Sequence, residues 1–371
     1  MLWFYVLILI FTFLLNKLTI KYGFKGIEYY RKISKTNVEI GEEFKITMIV
    51  ENRKPLPVTF LKVTEHFPDS FQYKFKANPI QTSGYLYHDT NMFLMPYQRI
   101  KRTYTVMGRE RGVHILRNVS LSVGDFLGSN TEYREIEYLQ ELVVLPKSLN
   151  IAESLVAYGD YNGDISVKRW IIDDPLMTIG IREYTGREPQ KYIHWNSSLR
   201  YGKLMVKNFD FTTDNNVMLI LNIESSKPFW ADINKESIEE SISLSRGVIE
   251  EFEKEKVPYG FATNSQINGF NYGESLIYPG IGTTHLDYIL ETLGRVSYNI
   301  HYSFEELIEK QMRKNEKHTT YIVITPKVLS SYIEPVKRLN KMANRLVLIS
   351  LDCENLDLLD DSIIKYVREK E

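Results

Sequence analysis

Val217-Met218-Leu219-Ile220-Leu221-Asn222-Ile223 is the stretch that decides the fold. It has no polar alternation, and it is far too short to cross a membrane. A short continuous apolar run of this kind is expected of a strand covered on both faces, as in a parallel sheet. Downstream, strand and helix patterns alternate. Ile238, Ile242, Ile249 and Phe252 fall on one helical face, with Glu and Lys elsewhere. Then come Tyr259-Gly260-Phe261-Ala262-Thr263 and a helix from about Thr284 to Gly294. A further helix is opened by Ser303, with Glu306 three residues on as a capping box. Tyr321 to Thr325, a helix near Tyr332 to Asn344 and Leu346 to Leu351 complete the series. Strands alternating with helices predict an α/β doubly wound, mainly parallel sheet over 216–371.

Upstream the periodicity changes to two. Phe44, Ile46, Met48 and Val50 alternate with Lys45, Thr47 and Ile49, and Glu51-Asn52-Arg53-Lys54-Pro55 marks a turn. Phe60 to Val63, Tyr104 to Val106, Val113 to Ile115, Val119 to Val123 and Leu142 to Leu145 are further strands. Short strands separated by Pro, Gly and Asn predict an antiparallel, immunoglobulin-like β-sandwich over 25–150. Gly124 and Gly128 are expected to serve turns, and Asp125 to cap one.

The connecting segment, 151–215, is dense in cations and aromatics. It holds Arg182-Glu183-Tyr184, Glu188, Lys191, His194-Trp195, Ser198 and Arg200. By composition this is a solvated face with anchored aromatics. By spacing, Arg182, Lys191 and Arg200 suit either an ion-pair network around Trp195 or capture of a partner's carboxylate or phosphate. His194 reads as a hydrogen-bonded structural histidine. Trp195 is expected to bury most of its ring, and Arg182 and Arg200 to pair with carboxylates or carbonyls.

The run Arg182-Glu183-Tyr184…Ile193-His194-Trp195…Ser198…Arg200 resembles the signature of the family catalogued as domain of unknown function 58. There it precedes a von Willebrand factor A-like domain. The resemblance implies a bacterial, membrane-anchored protein acting with a MoxR-type AAA+ ATPase and other membrane proteins. It also implies that the loop after Val217–Leu221 corresponds to the Asp-x-Ser-x-Ser position that binds Mg²⁺ in von Willebrand A domains. Here that position reads Asn222-Ile223-Glu224-Ser225-Ser226, and only Ser226 is retained. Thr283 or Thr284 would match the family's later threonine, and Thr325-Pro326 stands where an Asp is usual. Mg²⁺ requires hard oxygen ligands in octahedral geometry, so a competent metal site is not expected and no cofactor is assigned.

Residues 1–20 are apolar except for Thr12, Asn16, Lys17 and Thr19, and they read as a transmembrane anchor. A cleaved signal peptide would need basic residues before the run and a small-x-small site after it, and neither is present. Lys17, Lys21, Lys25, Arg31 and Lys32 follow the run, which predicts a single-pass protein with its soluble domains in the cytoplasm. A lone Cys353 agrees with a reducing compartment. The net charge of −1 argues against nucleic-acid binding. No Walker A, HExxH, GxSxG or paired-Cys motif occurs, so no catalytic residue is assigned. A scaffold or adaptor is the reading this supports. The alternatives are a hydrolase or ligand-binding enzyme using a cleft at Glu224, Ser226 and Thr284, and an envelope-facing adhesin-like receptor.

Overall fold

A computed structural model describes residues 2–73, 80–82, 84–125, 130–158, 170, 178–185, 190–209, 216–228, 230–270, 274–313 and 319–368. The chain divides into two compact units, 1–146 with 269–271, and 147–268 with 272–371.

The first unit opens with helix α1 (Leu2–Lys21), whose Trp3–Lys21 portion is long and apolar enough to cross a membrane. Its outer strands follow: β1 (Ile27–Ile33), β2 (Asn37–Glu39), β3 (Glu43–Asn52), β4 (Val58–Pro68), β5 (Phe71–Tyr73) and β6 (Ile80–Thr82). Then come β7 (Tyr85–Leu94), β8 (Arg99–Gly108), β9 (Gly112–Leu116), β10 (Val119–Gly124), β11 (Thr131–Ile136) and β12 (Gln140–Leu145). They form a four-stranded sheet β1-β3-β8-β5, a five-stranded sheet β11-β10-β4-β7-β6 and a small sheet β2-β12-β9.

The alternation in β3 does what its pattern demands. Phe44, Ile46, Met48 and Val50 all point inward and are buried. Met48 and Val50 meet Leu61, Val63, Leu94, Val119 and Leu121 of the facing sheet, which makes this a β-sandwich core. Two residues carry roles that the pattern hides. Arg31, counted above with the basic flank, is buried. Its Nη2 donates to the carbonyls of Leu116, Arg117 and Tyr138 at 3.1, 3.2 and 2.7 Å. Gly124 lies inside β10, where a Cβ would come within 3.0 Å of the Phe60 ring, so close packing rather than a turn requires it. The Asp125 carboxylate accepts from the Asn130 amide at 3.0 Å. Gly128 lies outside the described residues.

The second unit contains a seven-stranded mixed sheet. Its members are β13 (Leu155–Ala157), β16 (Val217–Leu221), β17 (Tyr259–Thr263), β19 (Leu276–Gly280), β21 (Thr320–Thr325), β22 (Arg345–Ser350) and β23 (Ile364–Arg368). The order is β13-β23-β22-β21-β16-β17-β19, with β23 to β17 parallel and both edges antiparallel. A short helix α2 (Ile151–Ser154) and a hairpin, β14 (Thr178–Glu183) with β15 (Met205–Phe209), precede the sheet; helix α3 (Trp195–Tyr201) lies in the hairpin's connection. Strands β18 (Ser265–Ile267) and β20 (Val296–Ile300) pair separately.

Four longer helices pack on the sheet: α4 (Lys235–Lys254), α5 (Thr283–Arg295), α6 (Phe304–Arg313) and α7 (Ile333–Met342). Met218, Ile220, Tyr321, Val323, Leu346 and Leu348 share a core with Phe304, Leu307, Ile308, Val336 and Leu339, so α6 and α7 cover one face. The alternate residues Val217, Leu219, Leu221, Ile322 and Ile324 are equally buried, and α4 packs against the same strands. Both faces are therefore covered, which explains why Val217 to Leu221 could be apolar throughout. Trp170 is also enclosed: its ring is 0% exposed and its Nε1 donates to the Tyr366 hydroxyl of β23 at 3.2 Å. No motif in the sequence marks this residue.

Candidate functional site

The parallel strands end at one rim of the sheet, and the chain leaves β16 and β21 toward opposite sides. Ligand clefts in such sheets form where the strand order reverses in this way. Here β17 and β21 flank β16, and the cleft of about 380 Å³ beyond these ends is lined by Asp232, Asn234, Glu240, Lys327, Asp352 and Arg368 among others. Its two cations are already engaged. Arg368 pairs with Glu240 and donates to the Ser154 carbonyl at 2.9 Å. Lys327 pairs with Glu354, whose hydrogen bond holds the ammonium above the usual lysine range.

The loop after β16 sits beside this cleft, and its interior is a network of neutral groups. Asn222 is fully buried. Its Nδ2 donates to Thr325 Oγ1 at 2.9 Å, and its Oδ1 accepts from Asn264 Nδ2 at 2.8 Å and from the Glu224 amide at 3.0 Å. Asn264 Oδ1 in turn accepts from the Ile223 amide at 3.0 Å. The Glu224 carboxylate, 4% exposed, accepts from the Phe304 amide at 3.2 Å and so caps the start of α6. Tyr332 lies against it: burial, then the Glu224 charge, push the phenol far above its ordinary range. Ser226 is turned outward, where its hydroxyl closes the 226–232 loop through Pro228 O and the Asp232 backbone.

These residues do not fit a divalent cation. The nitrogen of Asn222 and the hydroxyl of Thr325 face each other, and Glu224 is committed to a helix end. Among the described residues no three His, Cys, Asp or Glu side chains converge as a metal-binding group. Thr283 and Thr284 are not part of this rim. They begin α5 after β19, whose Gly280 pairs with Tyr259 at the opposite end of β17. His285 there bonds the Tyr259 carbonyl at 2.7 Å. The grouping of Glu224 and Ser226 with Thr284 in one cleft is thus corrected by topology: an antiparallel edge strand carries the Gly280 loop to the wrong end of the sheet. Asn264 and Asp352 directly follow predicted strand ends and Lys327 lies two residues past one, but no motif marks any of the three.

The signature residues form a separate feature. His194 Nδ1 accepts from the Ser197 amide at 3.2 Å and caps α3. Ser198 Oγ donates to the His194 carbonyl at 3.0 Å and accepts from the Met205 amide at 2.8 Å, which ties α3 to β15. Ile193, Ser198 and Val206 face inward. Trp195 does not: it is 62% exposed, contrary to the expectation of a buried ring. Leu199, one helical turn on and on the same face, is 83% exposed, and Tyr201 and Leu204 are exposed as well. The reason is local. The cap and the Ser198 bonds fix which side of this short helix faces β15, and Trp195 and Leu199 fall on the other. Arg182 donates to the Glu183 carbonyl at 3.5 Å, Glu183 pairs with Lys203 at 3.3 Å and the Tyr184 amide bonds Leu204 O at 2.8 Å, while Arg200 lies exposed in the last turn of α3. Glu188 lies outside the described residues, as does the Lys191 side chain.

No family model matches the chain. It is 19% identical over 244 residues to the uncharacterized protein YeaD of Bacillus subtilis, a match covering 65% of this chain and 57% of that protein. The chain thus spans little more than half the length of the curated relative it matches. Among solved structures it is similar to the CARDB domain of the PF1109 protein from Pyrococcus furiosus, with 14% identity and a TM-score of 0.21 over 32% of this chain and 91% of that one. A cohesin module from a Clostridium perfringens glycoside hydrolase gives 10% identity and a TM-score of 0.24 over 32% and 96% of the two chains.

Proposed function

We propose that this chain is a membrane-anchored adaptor, with α1 as the anchor and the α3 face as the surface that receives a partner. The observation that carries the reading is the exposed group Trp195, Leu199, Tyr201 and Leu204, held in place by the His194 cap and the Ser198 bonds. Trp195 and Leu199 share one face of a fixed helix, with Tyr201 and Leu204 also exposed and Arg200 and Lys203 close in sequence, which is the make-up of a protein docking site: an aromatic anchor with a basic rim. The signature's resemblance to the domain of unknown function 58 family supports a MoxR-type AAA+ ATPase as the partner. The α/β unit would then be a von Willebrand A-like domain whose metal position has been filled by the Asn222–Asn264–Thr325 network. ATP would be hydrolysed by the partner and not by this chain. The soluble units would face the cytoplasm.

The test is affinity purification of the full chain from membranes. A MoxR-type ATPase should co-elute with the wild type and be lost from Trp195→Ala and Leu199→Ala, with both variants retaining the wild-type melting temperature. Retention of the ATPase by both variants would remove the α3 face from the account.

An enzyme using the rim of the sheet is less well supported. The cleft is polar and of a size for a small ligand, but the Ser225 and Ser226 hydroxyls both donate to the Asp232 carbonyl within their own loop.

A further inference from the structure

The sandwich is not tethered to α1 by a free linker. Lys54 Nζ donates to the carbonyls of Tyr22 and Gly23, the first of them at 2.6 Å, and so closes the C-terminal end of the helix. The Arg53 amide bonds Gly26 O at 2.7 Å. Further up, Asn16 Nδ2 donates to Asp125 Oδ2 at 2.9 Å. Gly23 lies so close to β10 that a Cβ would come within 2.9 Å of Val123. Asn16 precedes the last helical residue, Lys21, by five positions, or about 7.5 Å along the axis. The sandwich rim therefore reaches up beside the helix to the level at which Leu14 and Leu15 become Asn16.

The same rim carries three connections. The β3–β4 turn, the β7–β8 turn and the end of β10 all lie there. Asn52 joins the two turns, donating from Nδ2 to Leu56 O and to Met95 O at 2.9 Å each, and Thr59 joins the end of β10 by donating to Asp125 O at 3.4 Å. These connections and the strand ends beside them display Leu56, Met95 and Tyr97 in the turns and Phe60 of β4 and Phe93 of β7, all exposed. Tyr97 is the most exposed of them, at 69%, and it sits at the tip of a turn closed by the Gln98 amide on Met95 O at 3.2 Å. Pro96 precedes it, and its own φ is +57°. That turn position favours Gly or Asn, and an aromatic residue there keeps the backbone strained. Strain kept at an exposed aromatic tip points to a use for the tip.

We infer that this rim rests in the lipid interface of the membrane that α1 enters, with Tyr97 and Met95 inserted at headgroup depth. The occupant is a bilayer because the patch is continuous with a helix apolar enough to cross one. Tyr at the edge of an apolar surface is the composition found at the membrane–water boundary. Lys21 and Lys25, both exposed and each 5.7 Å from the Tyr22 ring, place positive charge at the same level, where anionic headgroups lie. The consequence is that the sandwich has a fixed orientation on the membrane and presents its opposite end, at Gly108 and Arg109, away from it.

This inference rests on α1 being an anchor, and the experiment separates the two. The full chain carrying Cys353→Ser receives one cysteine at a time, Phe11→Cys, Met95→Cys, Tyr97→Cys or Arg109→Cys. Each is labelled with a nitroxide and reconstituted into phosphatidylcholine–phosphatidylglycerol vesicles containing no other protein. Labels at 11, 95 and 97 should favour molecular oxygen over a water-soluble nickel chelate, and the label at 109 should meet the chelate severalfold more often. Labels at 95 and 97 as open to the chelate as 109, with 11 in lipid, would overturn the rim contact and leave the anchor standing; a rim that binds protein instead would give this pattern. A label at 11 in water would overturn both.

Discussion

Asn222 and Asn264 join the carboxyl ends of two adjacent parallel strands through a single side-chain hydrogen bond of 2.8 Å, and both residues are buried. An aspartate in place of Asn222 could not make the bond to Thr325 Oγ1 in the same way, because a carboxylate has no N–H to give. The amide pair thus ties the two strand ends together with neutral atoms. Asn264→Ala should destabilise the second unit by about 1–3 kcal/mol, since it strips partners from Asn222 Oδ1 and from the Ile223 amide without replacing them. Urea denaturation measures this. Titration calorimetry of the wild type with Mg²⁺ should show nothing tighter than about millimolar, or about 4 kcal/mol. Micromolar binding abolished by Glu224→Ala would show that the network opens to admit a metal.

Trp170 and Trp195 should respond in opposite ways to truncation. Trp170→Ala empties a fully enclosed site beside Tyr366 and should cost about 3–5 kcal/mol. Trp195→Ala removes a ring that is mostly in solvent and should change stability by no more than about 0.5 kcal/mol. Chemical denaturation of the two variants checks both numbers, and a large loss from Trp195→Ala would restore it to a structural role.

That pair shows how far the sequence could be read. The sandwich strands and the buried parallel strands were legible because each carries its own period: Phe44 to Val50 alternate, and Val217 to Leu221 do not. The helix start at Ser303 was legible from its spacing to Glu306, whose amide bonds Ser303 Oγ at 3.3 Å. What failed was everything decided by partners distant in the chain. Nothing near Trp170 announces Tyr366, 196 residues away, and nothing near Arg31 announces the three carbonyls around it. The misplacement of Thr284 has a comparable origin. A Gly-rich loop before a helix looks the same whether the preceding strand is parallel or antiparallel, and β19 runs antiparallel.

The sandwich should be less stable in mild acid. Burial lowers the pKa of His114 below the ordinary histidine value of 6.5, against a smaller upward pull from the Glu110 carbonyl. In the neutral ring one nitrogen meets Ser70 Oγ at 2.9 Å and the other Glu110 O at 3.1 Å. The unfolded chain takes up a proton here before the folded one does, so this contribution is complete above pH about 6.5 and is lost as the pH falls through the folded value. The melting temperature of the full chain should therefore fall from pH 7 to pH 5, and His114→Gln should flatten the decline. An identical slope in the variant would exclude His114 as its source.

The basic residues at the end of α1 and after it predict the topology. Lys17, Lys21, Lys25 and Lys32 remain available for it, whereas Arg31 is committed to the core. Alkaline phosphatase fused at the C-terminus should be inactive, and a fluorescent protein fused there should be bright. The reverse pair would place both soluble units outside the cytoplasm and remove the ATPase from consideration.

The adaptor reading is tested most directly by photo-crosslinking in living cells, with a photoreactive amino acid at position 199 on the exposed side of α3 and, as a control, at position 109 on the sandwich. The account predicts one discrete adduct from position 199, containing a MoxR-type AAA+ ATPase, and no such adduct from position 109. The absence of that ATPase from the position 199 adducts, in cells that express it, would contradict the account.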